Sequence, residues 1–323
     1  MEKRFTIEGI KNKKVKKVTE EVKKAIVGKD DCIFRVMRAI LAGGHVLIED
    51  IPGVGKTTMA VAFARAMSLK QNRVQFTPDV LPSDIVGFSM YRKEQEEFCY
   101  QPGAVMCNML LADEINRTSP KTQSALLEVM EEKTVTVDGV TRRVPSPFFV
   151  IATENPVGYA GTQMLPESQL DRFMAGIKMG YPSLEDETAI LMGHGKNCSL
   201  EMVNPVITDQ ELLELQRETA EVYIHPSVCR YLVELSNATR NHQGISLGPS
   251  TRGTLAVSSL AKAAAYMDGR DYVLPADGAA VFEDAAVHRL RLSAKAETEG
   301  GDPGALVRGI LESVPMPRPE KTV

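Results

Sequence analysis

A glycine-bearing segment near residue 50 contains the residue types that bind phosphate groups. The short run His45–Glu49 is followed by Asp50-Ile-Pro-Gly-Val-Gly-Lys-Thr-Thr58 and then by an apolar-rich helix predicted from Met59 to Leu69. This order of strand, glycine turn, Gly-Lys-Thr and helix is that of a phosphate-binding P-loop. Gly53 and Gly55 allow backbone N–H groups to approach phosphate oxygens, because glycine has no Cβ.

The end of this segment carries a cation and two hydroxyl groups. We expect Lys56 to reach the terminal phosphates and the Thr57 hydroxyl to ligate Mg²⁺, while the N-terminus of the helix adds its partial positive charge. One position departs from the general pattern, because Asp50 stands where a first glycine is usual. We interpret the segment as a variant phosphate loop, since Pro52 to Thr57 is otherwise complete.

Short apolar runs alternate with helical or hairpin segments along the first half of the chain. This alternation predicts an α/β fold with a parallel sheet that is buried on both faces. The runs are His45–Glu49, Arg73–Thr77, Asn108–Asp113, Phe148–Thr153 and Ala175–Met179. Ligands of such sheets bind outside the carboxyl ends of the strands. Polar residues follow the first, third and fourth runs, so we expect three polar clusters to converge on one crevice.

Two carboxylates and an amide stand where the third and fourth runs end. We expect Asp113 to hold the hydration shell of Mg²⁺ opposite Thr57, and Glu114, one residue further on, to polarise an attacking water. Asn155 ends the fourth run, where a neutral amide orients that water and a γ-phosphate oxygen without competing for the metal. The alternative for Asn155 is the start of a turn before Pro156, and the two roles are compatible.

Composition limits the class of protein. A length of 323 residues predicts about two domains, and the net charge of -4 does not indicate a general nucleic-acid footprint. No apolar run approaches the roughly 20 residues that span a bilayer, and no apolar signal core follows the N-terminus. The five cysteines are scattered, which is typical of reduced thiols in the cytoplasm. The lysines between residues 11 and 17 favour a solvated helix start over a nucleic-acid arm.

The pattern divides the chain into two predicted domains. We expect a core over residues 1–200, a helical domain over 205–296 with helices near 208–222, 226–239, 250–267 and 275–292, and a partly disordered tail over 297–323. Two inserts, near 87–101 and 134–144, alternate apolar and polar residues and predict hairpins, the second around Asp138-Gly139. Either insert is a plain surface ribbon or a projecting contact loop.

The order of these motifs resembles that of AAA+ ATPases, and specifically of the MoxR family. The resemblance extends from about Val27 to about Leu292. It rests on the phosphate loop, on Asp113-Glu114, on Asn155, and on stretches that are similar to those of the family: Phe76-Thr-Pro-Asp79, Ala112–Arg117, Lys121–Glu128, Ala152–Pro156, Leu170–Phe173 and Gly248–Arg252. It implies an αβα P-loop core with a five-stranded parallel sheet and a C-terminal all-helical lid domain.

The resemblance also implies roles for individual residues. Asp113 and Glu114 match Walker B, Asn155 matches sensor 1, Arg172 matches an arginine finger that acts in trans, and Arg252 matches sensor 2. The implied ATP-binding residues are Val27, Gly28, Pro52, Gly53, Val54, Gly55, Lys56, Thr57 and Thr58. A guanidinium suits the charge on a γ-phosphoryl transition state. Arg117, Arg142 and Arg143 are rival donors on this ground.

The function that the resemblance implies is Mg²⁺-dependent ATP hydrolysis in a homo-oligomeric ring, expected to be a hexamer. The hairpins would transmit lid motion to a protein client in chaperone-like work, such as the maturation of protein complexes, beside partners with a von Willebrand A domain. The alternatives are a nucleic-acid motor, which the acidic pI disfavours, a nucleotide switch with little turnover, which Glu114 and Arg172 disfavour, and a small-molecule kinase.

Overall fold

The computed structural model describes residues 7–49, 53–94, 96–154, 164–192 and 200–317. The α-helices within these residues are α1 (Lys13–Lys23), α2 (Asp30–Leu41), α3 (Lys56–Ala66), α4 (Pro82–Val86), α5 (Pro120–Glu132), α6 (Glu167–Leu170), α7 (Leu184–Leu191), α8 (Asp209–Glu221), α9 (Pro226–Arg240), α10 (Thr251–Met267), α11 (Pro275–Ala286), α12 (Ala294–Thr298) and α13 (Pro303–Ser313). The strands are β1 (Val46–Glu49), β2 (Gln71–Gln75), β3 (Gly87–Arg92), β4 (Glu97–Pro102), β5 (Met109–Asp113), β6 (Thr134–Val137), β7 (Val140–Arg143), β8 (Phe149–Glu154), β9 (Ala175–Ile177), β10 (Ile245–Leu247) and β11 (Arg291–Leu292). None of these helices has both the length and the apolarity that crossing a membrane requires.

The five predicted runs form one parallel sheet in the order β2-β5-β8-β1-β9. Successive side chains of a strand point to opposite faces, so the apolar residues of β1 serve two cores. Val46 and Ile48 join the core on the α1–α3 face, whereas Leu47 joins the core on the α5 face. The sheet therefore lies between two helical layers, and the predicted parallel sheet is confirmed.

His45 lies where the strands begin, and we call this side of the sheet the amino edge. Its Nδ1 accepts from the Val150 N–H at 2.9 Å, so its Nε2 carries the proton and donates to Met130 O at 3.0 Å. Burial and the charge of Lys133 lower the pKa of His45 to about 3, which keeps the ring neutral. The Met174 N–H also donates to His45 O at 2.8 Å. The end of α5 and the segment before β9 therefore both lie at the amino edge.

The four helices predicted after residue 205 are present as α8 to α11, and with α13 they form the lid. The lid is helical, as predicted, and its helices are accompanied by one short antiparallel ribbon of β10 and β11. Within the predicted tail, residues 303–313 form α13. Asp302 caps this helix, Pro303 occupies its first turn, and Val307 and Ile310 are buried. The Gly and Pro content that predicted a tail marks helix ends instead.

A buried ion cluster fastens the lid to the sheet's helical layer. The Arg35 Nε donates to Asp284 Oδ1 at 2.8 Å, and Arg38 Nη2 donates to Asp284 Oδ2 at 2.9 Å. Arg38 is 2% exposed, and the adjacent Asp284 carboxylate raises the pKa of Arg35. Because α2 carries both arginines and α11 carries Asp284, this one carboxylate joins the two layers.

We expect Asp284→Ala to destabilise the protein by about 3–5 kcal/mol, because it leaves the buried Arg38 charge without its counter-ion. The measurement is the midpoint of urea unfolding. The matched control is Glu283→Ala on the same helix, which breaks the exposed pair with Arg308 and should cost less than about 1 kcal/mol. Equal shifts for the two variants would contradict a structural role for the buried cluster.

Candidate nucleotide-binding site

The phosphate loop connects β1 to α3 on the side of the sheet where the strands end, which we call the carboxyl edge. Gly53 and Gly55 have φ values of +89° and +93°, and no described residue comes within 4 Å of the place where either would carry a Cβ. Glycine is therefore required here by backbone conformation rather than by lack of space, and the open side is available to a ligand. Lys56 begins α3 and is buried. Asp50 and Pro52 lie outside the described residues.

The other predicted loop residues take places around this turn. Val54 packs partly buried against the core, and Thr58 lies in the first turn of α3. The first-turn N–H groups of α3 have no helical carbonyl before them, so they suit phosphate oxygens. The loop and helix start thus form the anion-binding geometry that the sequence predicts.

Asp113, at the end of β5, accepts hydrogen bonds from three side chains. Its Oδ2 lies 3.4 Å from Thr57 Oγ1 and 2.7 Å from Arg73 Nη2, and its Oδ1 accepts from Thr153 Oγ1 at 2.6 Å. Thr57 and Asp113 are therefore adjacent, as predicted, although they are 56 residues apart in the chain.

The pair Thr57 and Asp113 suits Mg²⁺. This ion usually takes one or two protein oxygens and completes its shell with waters and substrate phosphates. The described residues contain no group of three His, Cys, Asp or Glu side chains that could enclose a metal by themselves. A hydroxyl and a carboxylate beside a phosphate loop are the donor set expected for a metal that arrives with a nucleotide.

Glu114 is held in an unusual backbone conformation. Its φ is +56°, which L-residues adopt only when the surroundings compensate the strain. Its N–H donates to Thr153 Oγ1 at 2.9 Å, and its Oε2 accepts from Arg117 Nη1 at 2.7 Å. The single hydroxyl of Thr153 therefore orients both Asp113 and the backbone of Glu114. This arrangement gives the two adjacent carboxylates different hydrogen-bond partners.

Two glutamates are neighbours at the ends of adjacent strands, next to the phosphate loop. Glu49 and Glu154 are register partners at the ends of β1 and β8. Burial and the charge of Glu49 raise the pKa of Glu154 to about 7, against the opposing charge of Lys56, and burial raises the pKa of Glu49. Glu154 therefore carries a proton for part of the time near neutral pH, which reduces its repulsion of phosphate. The adjoining Asn155 lies outside the described residues.

Val27 and Gly28, which the family resemblance implies as ATP-binding residues that line the adenine pocket, lie beside the neighbouring strand, β9. Lys29 Nζ donates to the carbonyl oxygens of Met179, Gly180 and Tyr181 at 2.9, 2.8 and 2.9 Å, which fixes the segment containing Val27 and Gly28 at the carboxyl end of β9. Gly28 has a φ of +69°, and a Cβ there would lie 2.0 Å from Asp186 Oδ2. The segment is therefore one strand away from the phosphate loop, which is a suitable place for a base.

The two predicted catalytic arginines lie at the opposite edge of the sheet. Arg172 precedes β9, and its Nη1 donates to Leu127 O at 2.7 Å and lies 2.6 Å from Glu131 Oε2. Arg252, in the first turn of α10, donates to Glu131 Oε1 at 2.5 Å. At about 3.3 Å per residue, the strands separate this amino edge from the phosphate loop by roughly 13 Å. The structure brings the two arginines together but does not join them to Asp113 and Glu114.

Two rival arginines have local partners. Arg117 is bound to Glu114 of the same chain, and the guanidinium of Arg142 stacks over the Tyr100 ring at 4.1 Å, which links strand β7 to β4. Arg73 and Glu131, by contrast, were missed by the sequence prediction. Arg73 lies on β2, two residues before Gln75, which is the register partner of Asp113 on β5. A prediction that β2 pairs with β5 would therefore have placed Arg73 near Asp113.

We expect Thr153→Val to lower turnover at least about tenfold, because the isosteric side chain can neither donate to Asp113 nor accept from the Glu114 N–H. Thr153→Ser keeps the hydroxyl and should retain most of the activity. The measurement is steady-state phosphate release at saturating nucleotide. Equal activity of the valine and serine variants would show that this hydroxyl does not organise the site.

Comparison with known proteins identifies the family to which the chain belongs. The model of the ATPase family associated with various cellular activities (AAA) matches residues 45–175, and the AAA lid domain model matches residues 237–310. The chain is 40% identical to Chaperone MoxR1 of Mycobacterium tuberculosis, over 92% of this chain and 81% of that protein. It is 30% identical to Protein MoxR of Methylorubrum extorquens, over 92% of this chain and 93% of that protein.

A solved structure has the same fold. A crystal structure from Cytophaga hutchinsonii superimposes with a TM-score of 0.87 at 38% identity and covers 94% of this chain and 95% of its own. The match includes both the sheet core and the lid. The chain belongs to the MoxR family of AAA+ ATPases and is an ATPase.

Proposed function

We propose that the protein is a Mg²⁺-dependent ATPase that assembles into a homo-oligomeric ring and hydrolyses ATP between neighbouring subunits. In this proposal each subunit contributes its carboxyl edge to one nucleotide and its amino edge to the next. The nucleotide state would move the lid, and that motion would remodel or mature a bound protein complex.

The observation that carries the proposal is the separation of Arg172 from the phosphate loop of its own chain. A finger must contact the γ-phosphate to act on it, and roughly 13 Å of sheet lies between the two edges. A copy of the chain whose amino edge faces the first chain's carboxyl edge would supply the arginine. Such a head-to-tail contact uses two different surfaces and closes into a ring when the rotation allows.

The carboxyl edge supplies the remaining functional groups. Lys56 binds the terminal phosphates, and Thr57 and Asp113 hold Mg²⁺, which supplies neutralisation of charge on the phosphates when it is bound. Glu114 orients and polarises the attacking water, and the Thr153 hydroxyl holds Glu114 and Asp113 in position through its hydrogen bonds. Asn155, which follows Thr153 by two residues, is proposed to complete the positioning of this water.

The two hairpins are the proposed contacts for a protein client. Strand β3 pairs with β4 and β6 pairs with β7, and the cation–π contact between Arg142 and Tyr100 couples the pairs. Tyr91 and Phe98 stack near the tip of the first hairpin at 5.3 Å and are 48% and 74% exposed. Exposed aromatic pairs of this kind suit an interaction surface. The chaperone role of MoxR1 and this surface together support chaperone-like work.

The finer parts of the proposal concern assembly and location. We propose a hexameric ring, a cytoplasmic location and cooperation with a partner that contains a von Willebrand A domain. The four described cysteines, Cys32, Cys99, Cys107 and Cys229, are not joined in disulfide bonds, which is compatible with a reducing compartment. Affinity capture with a variant that is arrested in the ATP state would identify the client.

We expect Glu114→Gln to bind ATP with near-normal affinity and to lose at least about 100-fold in turnover, because an amide cannot accept a proton from the water. The measurements are fluorescent-nucleotide binding and phosphate release. Glu132→Gln, at an exposed site on α5, is the control and should behave as the wild type. Rapid steady-state hydrolysis by Glu114→Gln would remove Glu114 from its role.

We expect Arg172→Ala and Lys56→Ala each to lose turnover as homo-oligomers but to recover part of it when mixed. A subunit with Arg172→Ala keeps its phosphate loop, and a subunit with Lys56→Ala keeps its arginine. With random assembly at equal amounts, about one interface in four would combine the intact parts, so the mixture should reach about a quarter of the wild-type rate.

The absence of recovery in the mixture would contradict action in trans. Mixing each variant with itself is the control and should give no recovery. Full activity of Arg172→Ala alone would exclude Arg172 as the arginine finger and would make Arg117 the next candidate for that role.

A further inference from the structure

Glu131, in the last turn of α5, binds two guanidinium groups with its two carboxylate oxygens. Oε2 lies 2.6 Å from Arg172 Nη1, and Oε1 accepts from Arg252 Nη2 at 2.5 Å. These partners are 41 and 121 residues away in the chain and belong to the core and to the lid. One carboxylate therefore brings together arginines from two structural layers.

A second bridge runs parallel to the first. Ser250, which caps α10, donates from its Oγ to Asp171 Oδ2 at 2.8 Å, and Arg289 Nε donates to Asp171 Oδ1 at 2.9 Å. The backbone before Arg172 and the start of the helix that carries Arg252 are thus tied together independently of Glu131. The bridge by Glu131 therefore orients two side chains whose backbones are already fixed.

The cluster keeps a positive charge. Three arginines, at 172, 252 and 289, face two carboxylates, Glu131 and Asp171, which leaves a net charge of +1. Arg289 is buried, and burial lowers the pKa of its guanidinium. The side chains of Arg172 and Arg252, in contrast, are 29% and 49% exposed. The positive charge that faces solvent therefore belongs to the pair that Glu131 binds.

Two neighbouring guanidinium groups repel each other unless an anion lies between them. Each can bind one carboxylate oxygen and still keep further N–H donors, since a guanidinium has five. Arg172 Nε is buried with no hydrogen-bond partner among the described residues, so the donors of this side chain are not all used. The carboxylate removes the repulsion without exhausting the hydrogen-bonding capacity that a phosphate would need.

We propose that Glu131 is a positioning residue that holds Arg172 and Arg252 as a pair and directs both to the triphosphate of the neighbouring subunit. The inference rests on the proposed hydrolysis between subunits. Glutamine cannot replace Glu131, because one end of its side chain is a donor and faces a guanidinium donor. The arginine on that side is displaced, and the pair no longer matches the phosphate oxygens.

The test compares Glu131→Gln with the neighbouring Glu132→Gln. Glu131→Gln lowers kcat roughly tenfold or more and changes KM for ATP by less than about threefold, because its own phosphate loop is intact. Glu131→Asp keeps the charge but is one methylene shorter, and its kcat lies between those of the wild type and Glu131→Gln. Glu132→Gln has wild-type kinetics, and the urea midpoint of all three variants stays at the wild-type value.

Mixed rings locate the defect. Glu131→Gln recovers activity when mixed with Lys56→Ala, which retains an intact Glu131 and both arginines. It recovers none when mixed with Arg172→Ala, because both lesions lie on the same edge of the subunit. A general loss of folding would give no recovery in either mixture.

Each outcome separates this inference from the proposed function. If Arg172→Ala loses turnover and is rescued by Lys56→Ala while Glu131→Gln has wild-type kcat, hydrolysis between subunits stands and the positioning role of Glu131 is wrong. If Arg172→Ala itself has wild-type kcat, the proposed shared site fails. Recovery of Glu131→Gln by Arg172→Ala would also overturn the inference, since it would separate Glu131 from the arginine edge.

Discussion

The parallel sheet places the phosphate loop and the pair of Arg172 and Arg252 at opposite ends of its strands. β1 begins directly after His45, which contacts the end of α5 and the segment after Arg172, and it ends at the phosphate loop. Parallel pairing repeats this polarity in β5, β8 and β9, so every loop that follows a strand is distant from every loop that precedes one. A single chain cannot close this distance, whereas two copies placed edge to edge can.

Ion pairs that include a buried arginine connect the lid to the core. Asp284 joins α2 to α11, and Asp171 joins the segment before β9 to Arg289 and to the cap of α10. Removing one member of such a cluster leaves the other charge buried without a counter-ion. The free-energy cost of that separation opposes a local rearrangement of the cluster. The lid is therefore attached close to the arginines, and in the proposed ring a movement of the lid would move them relative to the nucleotide of the neighbouring subunit.

The sequence predicted those features that depend on neighbours in the chain. The five strands are contiguous apolar runs, and the phosphate loop is a contiguous motif whose glycines adopt the expected positive φ. Asp113 and Thr57 were paired correctly, because a strand end and a loop at the same edge must meet. The turn at Asp138 and Gly139 likewise has two positive φ values, as a tight Asp-Gly hairpin requires.

The features that the sequence did not predict depend on distant segments. Glu131 and Arg73 lie in stretches whose local patterns, a helix end and an edge strand, carry no sign of their partners. Arg252 matches sensor 2 by its motif, and that motif carries no sign that Arg252 shares the Glu131 carboxylate with Arg172. Helix α13 was hidden by a composition that also fits disorder, because only its packing on α9 and α11 distinguishes the two.

The most direct test of the shared site is turnover per subunit as a function of protein concentration, with the molecular mass measured in the same samples by sedimentation in ATP. The account predicts that activity per subunit appears together with the oligomer and disappears on dilution to the monomer. A monomer that hydrolyses ATP at the full rate at every concentration would contradict it.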